Sequence, residues 1–310
     1  DGNGFVIRNL TYSTTAVVNY VGLFGYTSNA TIQNLGLESV NLSTGGLYIG
    51  GLLGYQNNGT ITNCSSTGSI TASISSTSNT VPTPYVGGLI GYQNNGTITN
   101  CHSAGSVTSS ITAVYTCASY SGGLAGTQAS GTIINCYSTA AVTSSAFTSS
   151  YKSYAYAGGL VGCHSGTISD SYGTGSVNAH VSPGDAYCGG LVGQSSGIIT
   201  HCHSTGDATS SVSYANSATS YSYAGGLAGY SYSTITDCYS TGTARANTAA
   251  YSYGYAGGLV GYHDQGAITG SYTTASAIVT AQVSPCCGIY AGGFVGYQAH
   301  SMITNCYSSG

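Results

Sequence analysis

Asp170, His201 and Asp237 occupy the same place in three successive copies of a phrase that repeats along the chain. If the copies stack, the two carboxylates would lie about 9–10 Å apart, near the upper end of the separation used by inverting glycosidases. The alternative is that Asp imitates Asn, which fills this place in most copies. No lysine or arginine stands near to hold a sugar acid, and no cleft is indicated. We therefore expect no catalytic residue and no enzyme activity.

His201, Cys202 and His203 would suit a zinc ion by residue type. Along a strand, however, alternate side chains point to opposite faces, so the two histidines would face away from the cysteine. Spaced pairs of ligands, as in zinc fingers, are absent from the sequence. We therefore expect no metal site and no cofactor.

Six cysteines follow the repeated Asn position directly, and serine replaces cysteine there in two copies. Stacked copies would bring their Cα atoms about 4.8 Å apart, within reach of a disulfide, although parallel neighbours are not its ideal geometry. A buried ladder of thiols explains the pattern equally well. The eleven cysteines are an odd number, so at least one stays free or pairs between molecules. The candidate bonds are Cys202–Cys238 and either Cys101–Cys136 or Cys64–Cys101. Cys306 is the sixth cysteine at this position, and the serines that replace cysteine there are Ser171 and Ser271. The remaining cysteines lie elsewhere and have no assignable partner: Cys117, Cys163, Cys188, Cys286 and Cys287.

Six Asn-x-Ser/Thr sequons are possible sites of glycosylation. Asn29, Asn58 and Asn95 lie in a predicted turn, where we expect exposure, although Asn-Gly also serves turn geometry alone. Asn41 is a further candidate. Asn9 and Asn63 fall at the repeated Asn position and should be poorly available.

The elements that must position these residues follow from two phrases that alternate along the whole chain. One is Ile-x-Asn followed by a small apolar residue, and the other is Gly-Gly-Leu-apolar-Gly. Copies recur every 25 to 37 residues, a spacing typical of stacked repeat architectures. The isoleucines are Ile7, Ile32, Ile61, Ile98, Ile133, Ile168, Ile199, Ile235, Ile268 and Ile303; the second phrase is centred on Leu23, Leu52, Leu89, Leu124, Leu160, Leu191, Leu227, Leu259 and Phe294.

One copy, residues 87–106, predicts the shape of a coil. Gly-Gly opens a short strand, Asn94-Asn95-Gly96 is a turn, and Thr97-Ile98-Thr99 alternates polar and apolar residues as a half-buried strand does. Ile98 and Cys101 both face inward only if the chain bends at Asn100, whose amide would join a ladder of Asn side chains. We predict an all-β, parallel β-solenoid of nine to ten coils with three short strands each, about 40–45 Å long, with the isoleucines in one internal column.

The tyrosines collect in the segments just before Gly-Gly. The apolar residue after each repeated Leu implies that this strand is covered on both faces. We expect the tyrosine segments to fold over it and to stack ring on ring from coil to coil, rather than to be flexible loops. The predicted aromatic surface stack comprises Tyr154, Tyr156, Tyr221, Tyr223, Tyr253 and Tyr255.

Charged residues make up only 3% of the chain, with three basic and seven acidic residues. Such a surface has no basic patch for nucleic acid or an anionic membrane, and no apolar run approaches the length of a membrane span. The cysteine content and the sequons fit an extracellular setting better than the cytosol.

The phrase GGLLGYQNNGTITNCSSTGSI and its copies in this chain resemble the GLUG-motif repeats. The resemblance covers essentially the whole chain and implies an extracellular, parallel β-solenoid stalk or adhesive segment of a large bacterial-type surface protein. The high tyrosine content and the near absence of charge depart from that pattern.

The sequence therefore predicts a single array over residues 1–310, whose two ends fall inside a coil. Its first functional interpretation is a non-enzymatic structural or adhesive protein of a surface fibre. The partners would be further copies stacked end to end or a longer parent chain, and surface glycans. The alternatives are a carbohydrate- or ice-binding solenoid, because Thr97 and Thr99 and their counterparts face outward, and a polysaccharide-cleaving enzyme. The outward threonine rows are broken by Ile134, Ile198, Ala267 and Met302.

Overall fold

The chain is described by a computed structural model that covers residues 1–79, 81–149, 151–214, 219–281 and 288–310. Every regular element in these ranges is a β-strand, and the strands pair in parallel, as His102–Ala113 does with Ser65–Ser76 over its whole length. The strands form three sheets that wind around one core. Within the same ranges, no helix is long and apolar enough to cross a membrane.

In each sheet, a strand pairs with the strand or the two short strands that occupy the same place in the next coil. The first sheet contains Val6–Arg8, Thr11–Thr14, Gly36–Thr44, Ser65–Ser76, His102–Ala113, Tyr137–Ser138, Ala141–Thr148, Tyr172–Gly173, Val177–Ser182, His203–Ser204, Ala208–Val212, Tyr239–Ser240, Ala244–Thr248, Tyr272–Thr273, Ala277–Ala281 and Tyr307–Ser308. The second contains Tyr20–Val21, Tyr48–Gly50, Tyr85–Gly87, Cys117–Gly122, Ser153–Gly158, Gly184–Gly189, Ser220–Gly225, Ser252–Gly257 and Gly288–Gly292. The third contains Phe24–Gln33, Leu53–Thr62, Ile90–Gln93, Thr97–Thr99, Ala125–Gln128, Thr132–Ile134, Val161–His164, Thr167–Ser169, Val192–Ser195, Ile198–Thr200, Ala228–Ser231, Thr234–Thr236, Val260–Asp264, Ala267–Thr269, Val295–Ala299 and Met302–Thr304.

The chain passes from the first sheet to the second and then to the third, and it enters the next level at the repeated Asn. Within the described ranges the second sheet has nine strands, one per level. Seven of these levels have a neighbour on both sides, so the solenoid has about seven full turns rather than the nine to ten coils predicted from the sequence. The prediction of an all-β, parallel solenoid with three short strands per coil is confirmed, and the number of coils is the detail that differs.

The repeated isoleucines form one internal column. Ile32 pairs with Ile61, Ile61 with Ile98, and the same register continues to Ile303. From Ile61 to Ile268 these side chains are at most 1% exposed, whereas Ile303 in the last level is only partly buried. Because identical side chains lie over one another, each level buries the same apolar face against its neighbours. The predicted core column of Ile61, Ile98, Ile133, Ile168, Ile199, Ile235, Ile268 and Ile303 is confirmed.

The first copy of the phrase does not join this column. Ile7 lies in the first sheet and pairs with Leu37, and 37% of its surface is exposed. The prediction that Ile7 stacks with the other isoleucines is wrong. The reason is spacing: Gly2 already donates its N–H to the carbonyl of Gln33, so the chain reaches the corner before Ile7.

The predicted corner is present at the repeated Asn. Asn63, Asn100 and Asn135 have φ of 52°, 54° and 51°, a left-handed conformation that Asn tolerates better than most residues. Their side-chain amides form the expected ladder, with Asn100 Nδ2 donating to Asn63 Oδ1 at 3.2 Å and Asn135 Nδ2 donating to Asn100 Oδ1 at 2.7 Å. This bend turns both the isoleucine and the residue after the Asn toward the core.

The Gly-Gly-Leu phrase makes the turn from the second sheet to the third. At Gly158 a Cβ would lie 1.9 Å from the carbonyl oxygen of Val161, so only glycine fits. Leu160 and Val161 that follow are both fully buried. The tyrosine segments form the second sheet, which lies close to the third. A Cβ on Gly162 in the third sheet would come within 2.8 Å of the carbonyl oxygen of Ser121 in the second sheet.

Substitution of Gly158 by alanine, which adds one methyl group, tests how tightly this turn is packed. We expect Gly158→Ala to lower the free energy of unfolding by roughly 2–3 kcal/mol, because the backbone must move to relieve the contact with Val161. Gly25→Ala is the matched control, since its Cβ would meet its nearest neighbour, Tyr20 Cβ, at an ordinary 3.4 Å. Urea unfolding of both variants measures the difference. Equal stabilities would contradict the close turn.

Candidate functional site: three aromatic rows

A continuous row of tyrosines runs along the second sheet, one ring in each level. Neighbouring ring centroids are 4.5–5.4 Å apart and the ring planes lie within 19° of parallel. The parallel register of the strands places these rings over one another, as in the pairing of Tyr120 with Tyr156 and of Tyr156 with Tyr187. We call this the first row; it consists of Tyr20, Tyr48, Tyr85, Tyr120, Tyr156, Tyr187, Tyr223, Tyr255 and Tyr290.

A second row lies beside the first on the third sheet and meets it edge to face. Tyr85 and Tyr92, for example, have centroids 5.2 Å apart and planes at 87°. Both the stacked and the T-shaped geometries are favourable arrangements of aromatic quadrupoles. The second row consists of Tyr26, Tyr55 and Tyr92 and, after a gap, of Tyr230, Tyr262 and Tyr297.

The gap in the second row spans three levels. Thr127, Cys163 and Gln194 take the tyrosine position there in unbroken register. The rings of the first row beside the gap are the most closely stacked, with centroids 4.5 Å apart for Tyr120 and Tyr156. Burial raises the pKa of Tyr156 far above the usual range for a phenol, so its hydroxyl stays protonated.

A third row lies on the first sheet, just after the corner, and includes two histidines. Its centroids are 4.6–5.1 Å apart and its planes lie within 13° of parallel. It consists of His102, Tyr137, Tyr172, His203, Tyr239, Tyr272 and Tyr307. His203 therefore stacks between Tyr172 and Tyr239, while the neighbouring Cys202 points into the core.

The predicted aromatic stack is correct in kind and differs in detail. Tyr156, Tyr223 and Tyr255 belong to the first row, and Tyr221 stacks on Tyr253 at 5.4 Å. Tyr154 was wrongly included, because its register partners are Ala118 and Asp185 rather than aromatic residues. The description as a surface stack was wrong for Tyr223 and Tyr255, which are 7% and 6% exposed because the second row covers them.

The second and third rows were missed at the sequence level. A signal for the second row was present in the phrase Gly-Tyr-Gln, which recurs at Tyr55, Tyr92 and Tyr297. A signal for the third row was the aromatic residue after Cys101, Cys136, Cys202 and Cys238, which is His or Tyr in each copy.

The corner cysteines form a hydrogen-bonded ladder of thiols. Cys101 donates its S–H to the carbonyl of Thr99, and Cys136 Sγ accepts the N–H of Cys101 at 3.4 Å. Ser171 makes the same two bonds in the next level, accepting the N–H of Cys136 and donating to the carbonyl of Ser169. The shared chemistry explains why serine replaces cysteine at this position.

No disulfide joins the nine cysteines in the described ranges, so the thiol alternative is the one that the structure has. The predicted bonds among Cys64, Cys101, Cys136, Cys202 and Cys238 are absent because each Sγ is directed at a backbone carbonyl of its own corner. Hydrogen bonding to Cys136, with burial, raises the pKa of Cys101 to about 12, which disfavours the reactive thiolate. Cys286 and Cys287 lie outside the described residues.

The thiol ladder makes a prediction about substitution and redox conditions. Cys101→Ser should change the free energy of unfolding by less than about 1 kcal/mol, because serine keeps both hydrogen bonds, whereas Cys101→Val should cost more by losing them. A reducing agent should leave the melting temperature of the unmodified chain unchanged. A large drop on reduction would show that disulfides form after all.

Asp170, His201 and Asp237 stack at the corner, as predicted, and all three are exposed by more than half. His201 lies between the two carboxylates, with Nδ1 4.0 Å from Asp170 Oδ1 and Nε2 3.5 Å from Asp237 Oδ2. The imidazole thus occupies the space where an inverting glycosidase would hold substrate and water. Across the described ranges, no group of three or more His, Cys, Asp or Glu side chains is placed to hold a metal ion.

A buried polar row is a feature that sequence analysis did not identify. Gln56, Gln93 and Gln128 point into the core, each donating its amide to a carbonyl three residues on. In the next level His164 takes the same position, fully buried, and its Nδ1 lies 2.8 Å from Ser195 Oγ. Burial lowers the pKa of His164 to about 3, so the ring is neutral in the folded chain.

The repeat unit that carries these rows matches a known family model, the GLUG motif, at residues 45–71, 83–108, 118–143, 220–245 and 288–310. These five segments match the GLUG motif and together span 128 of the 310 residues. Each of the first four matches runs from the second sheet through the third and past the corner into the first. The levels between the third and fourth matches keep the same register, as Ile168 and Ile199 show. The curated proteins and the solved structures contain no match to the chain.

The six sequons differ in exposure. Asn29, Asn41 and Asn95 are exposed, whereas Asn58 is only half-exposed, contrary to expectation. Asn63 is exposed rather than hidden, but its Nδ2, the atom that would carry a glycan, donates to Asn34 Oδ1 at 3.0 Å. Asn9 is exposed as well. Glycosylation of Asn29, Asn41, Asn58 and Asn95 stays a prediction.

Proposed function

We propose that this chain is a non-enzymatic, extracellular structural element, a rigid rod within a surface fibre. The observation that carries the proposal is the register that continues from level to level, with one shift between Leu37 and Val40 in the first sheet, and the first aromatic row that runs through every level. A role in bearing load needs such continuity, whereas a catalytic role needs a concave site with convergent polar groups.

Stiffness follows from how the levels are joined. Three parallel hydrogen-bonded ladders run along the rod axis, and bending the rod would stretch one of them. The aromatic rows lie along the sheets and add ring-on-ring contacts at the same spacing, each worth about 0.5–1.5 kcal/mol beyond area burial. The rod therefore resists both bending and separation of its levels.

The two end levels present the same columns as the interior. Tyr20 and Tyr26 in the first level and Tyr290 and Tyr297 in the last are all at least 36% exposed. We propose that further levels cover these faces, whether from a longer parent chain or from another copy, because uncovered strand edges and apolar columns favour association.

An extracellular, adhesive setting is proposed from the GLUG repeats and from the surface chemistry. The surface is rich in hydroxyl and amide groups and almost free of charge, and exposed sequons such as Asn95 would allow glycans to be added. Adhesion would then involve the polar outer faces and any glycans rather than a pocket.

The two binding alternatives have weaker support. Carbohydrate recognition commonly uses exposed ring faces, but each ring within the first row is covered on both faces by its neighbours, so solvent meets ring edges. Ice binding would use the outward threonines of the third sheet. Thr97 and Thr132 are in register, but Ile134, Ile198, Ala267 and Met302 interrupt the two rows.

Electron microscopy of the chain in its native material tests the proposal. We expect unbranched fibres with an axial repeat of about 4.8 Å, the spacing of hydrogen-bonded strands. Cleavage of a polysaccharide that is lost in Asp170→Asn and Asp237→Asn would instead support the enzyme alternative. Globular particles without such fibres would contradict the structural role.

A further inference from the structure

The single lysine of the chain meets its single buried carboxylate. The sequence has one lysine, Lys152, and seven acidic residues, all of which the structure describes. Of those seven, only Asp185 is buried. Lys152 Nζ lies 2.9 Å from Asp185 Oδ1 and 3.0 Å from Oδ2, and the two side chains are 27% and 8% exposed.

The surroundings of the pair are largely aromatic. The Lys152 ammonium lies 4.9 Å from the centroid of the Tyr221 ring. The backbone N–H of Tyr221 donates to Asp185 Oδ1 at 3.1 Å. Tyr154 and Tyr187 belong to the same neighbourhood, since burial and, to a smaller extent, the Asp185 carboxylate raise the pKa of both phenols.

An ion pair in this position is costly to keep charged. Removing two charges from water costs more than their attraction returns in many proteins. Burial accordingly raises the pKa of Asp185, against the opposing effect of Lys152. A covalent amide between the same two groups would carry no charge, and the site is already built to hold its atoms close together.

We propose that Lys152 and Asp185 condense to an isopeptide bond that staples two neighbouring levels of the solenoid. This inference goes beyond the proposed structural role and does not depend on it. The bond would join residues that are 33 positions apart in the sequence and lie in adjacent levels, since Tyr154 pairs with Asp185.

The reaction is a condensation that needs no oxidant or other reactant. A proton passes from Lys152 Nζ to Asp185 Oδ2, which leaves a neutral amine and a neutral acid. The carboxyl group then turns its face to the amine by rotation about Cβ–Cγ, and the nitrogen lone pair attacks Cγ. The C–N bond forms, the Cγ–Oδ2 bond breaks, and Oδ2 leaves as water with a second proton from the nitrogen.

The structure supplies one group that assists this step. Negative charge develops on Oδ1 during the attack, and the Tyr221 N–H already points at that oxygen. A backbone donor fixed at a developing oxyanion is the arrangement that stabilises acyl-transfer intermediates.

Mass spectrometry of the full chain tests the proposal, after incubation at neutral pH until the mass no longer changes. We expect an intact mass one water molecule below that of the sequence. Trypsin cleaves only after Arg8, Lys152 and Arg245 in this chain, so digestion after denaturation should leave residues 9–245 as one piece, because an acylated lysine resists cleavage.

Two variants serve as controls. Asp185→Ala and Lys152→Arg should each have the intact mass calculated from the variant's own sequence, without the loss of water. Trypsin should release residues 9–152 and 153–245 of Asp185→Ala as separate pieces. An unmodified chain with the full mass and with those two pieces would overturn the proposal, whatever the stability of the variants. It would leave Lys152 and Asp185 as an ordinary buried ion pair.

Discussion

Truncating Tyr156 to alanine is expected to lower the free energy of unfolding by about 2–3 kcal/mol, because this half-buried ring would lose a stacking contact on each face together with its buried apolar area. Tyr156 stands at the middle of the first row, with ring centroids 4.5 Å from Tyr120 and 4.6 Å from Tyr187. No second-row tyrosine lies beside it to fill the space, because Cys163 occupies that position. The cavity would therefore stay open and break the row in two.

Two further variants separate the ring from its hydroxyl and from tyrosine content in general. Tyr156→Phe keeps both stacking contacts and removes only the hydroxyl group, so it should cost no more than about 1 kcal/mol. Tyr12→Ala removes a ring that is 43% exposed and should change stability by less than about 0.5 kcal/mol. Urea denaturation, with hydrogen exchange at neighbouring levels, measures all three. Equal losses for Tyr156→Ala and Tyr12→Ala would contradict a structural role for the row.

Acid should destabilise the rod through His164. The pKa of this buried imidazole is lowered to about 3, whereas an unfolded chain has a histidine pKa near 6.5. Below pH 6.5 the unfolded state therefore binds a proton that the folded state does not, and stability falls as the pH falls toward 3. At about 1.4 kcal/mol for each pH unit, the loss reaches on the order of 4 kcal/mol near pH 3.5.

The neighbouring level supplies the control for this prediction. Gln128 stands in register with His164, so His164→Gln introduces a residue that the fold already uses at this position. We expect the variant to lose most of the pH dependence between 6.5 and 3.5 that the unmodified chain shows. His263, whose pKa burial also lowers, should account for part of the remainder. Identical acid profiles for the two chains would rule out His164 as the cause.

The sequence predicted the parts of the fold that each copy repeats. The isoleucine column, the bend at Asn100 and the three short strands per level all follow from residue types that recur at fixed places. The left-handed backbone at the corner explains why Asn, Asp and His can substitute there while large apolar residues do not appear.

The errors arose where one copy differs from the next. Ile7 belongs to a copy of the repeated phrase, but it does not pair with the other isoleucines. Residues before Ile7 already pair beside the corner of the next level, so Ile7 itself pairs with Leu37. Tyr154 has the right spacing within its own strand, yet its neighbours in adjacent levels are Ala118 and Asp185. A tyrosine stacks only if the residues in register with it in the two adjacent levels are also aromatic. The spacing of tyrosines within one strand gives no information about those neighbours.

The functional features were the hardest to predict, since they depend on contacts between levels. A cysteine that alternates with serine suggested either disulfides or thiols, and only the direction of each Sγ toward a backbone carbonyl separated the two. The meeting of Lys152 with Asp185 could not be inferred from residues 33 positions apart in a variable segment.

A density map of the purified chain, at a resolution that shows side chains, tests the central claim that the levels lie over one another in register. The structure predicts a continuous column from Tyr20 to Tyr290 with rings about 5 Å apart, and an internal column from Ile32 to Ile303. Tyrosines dispersed over the surface, or isoleucines turned toward water, would contradict it.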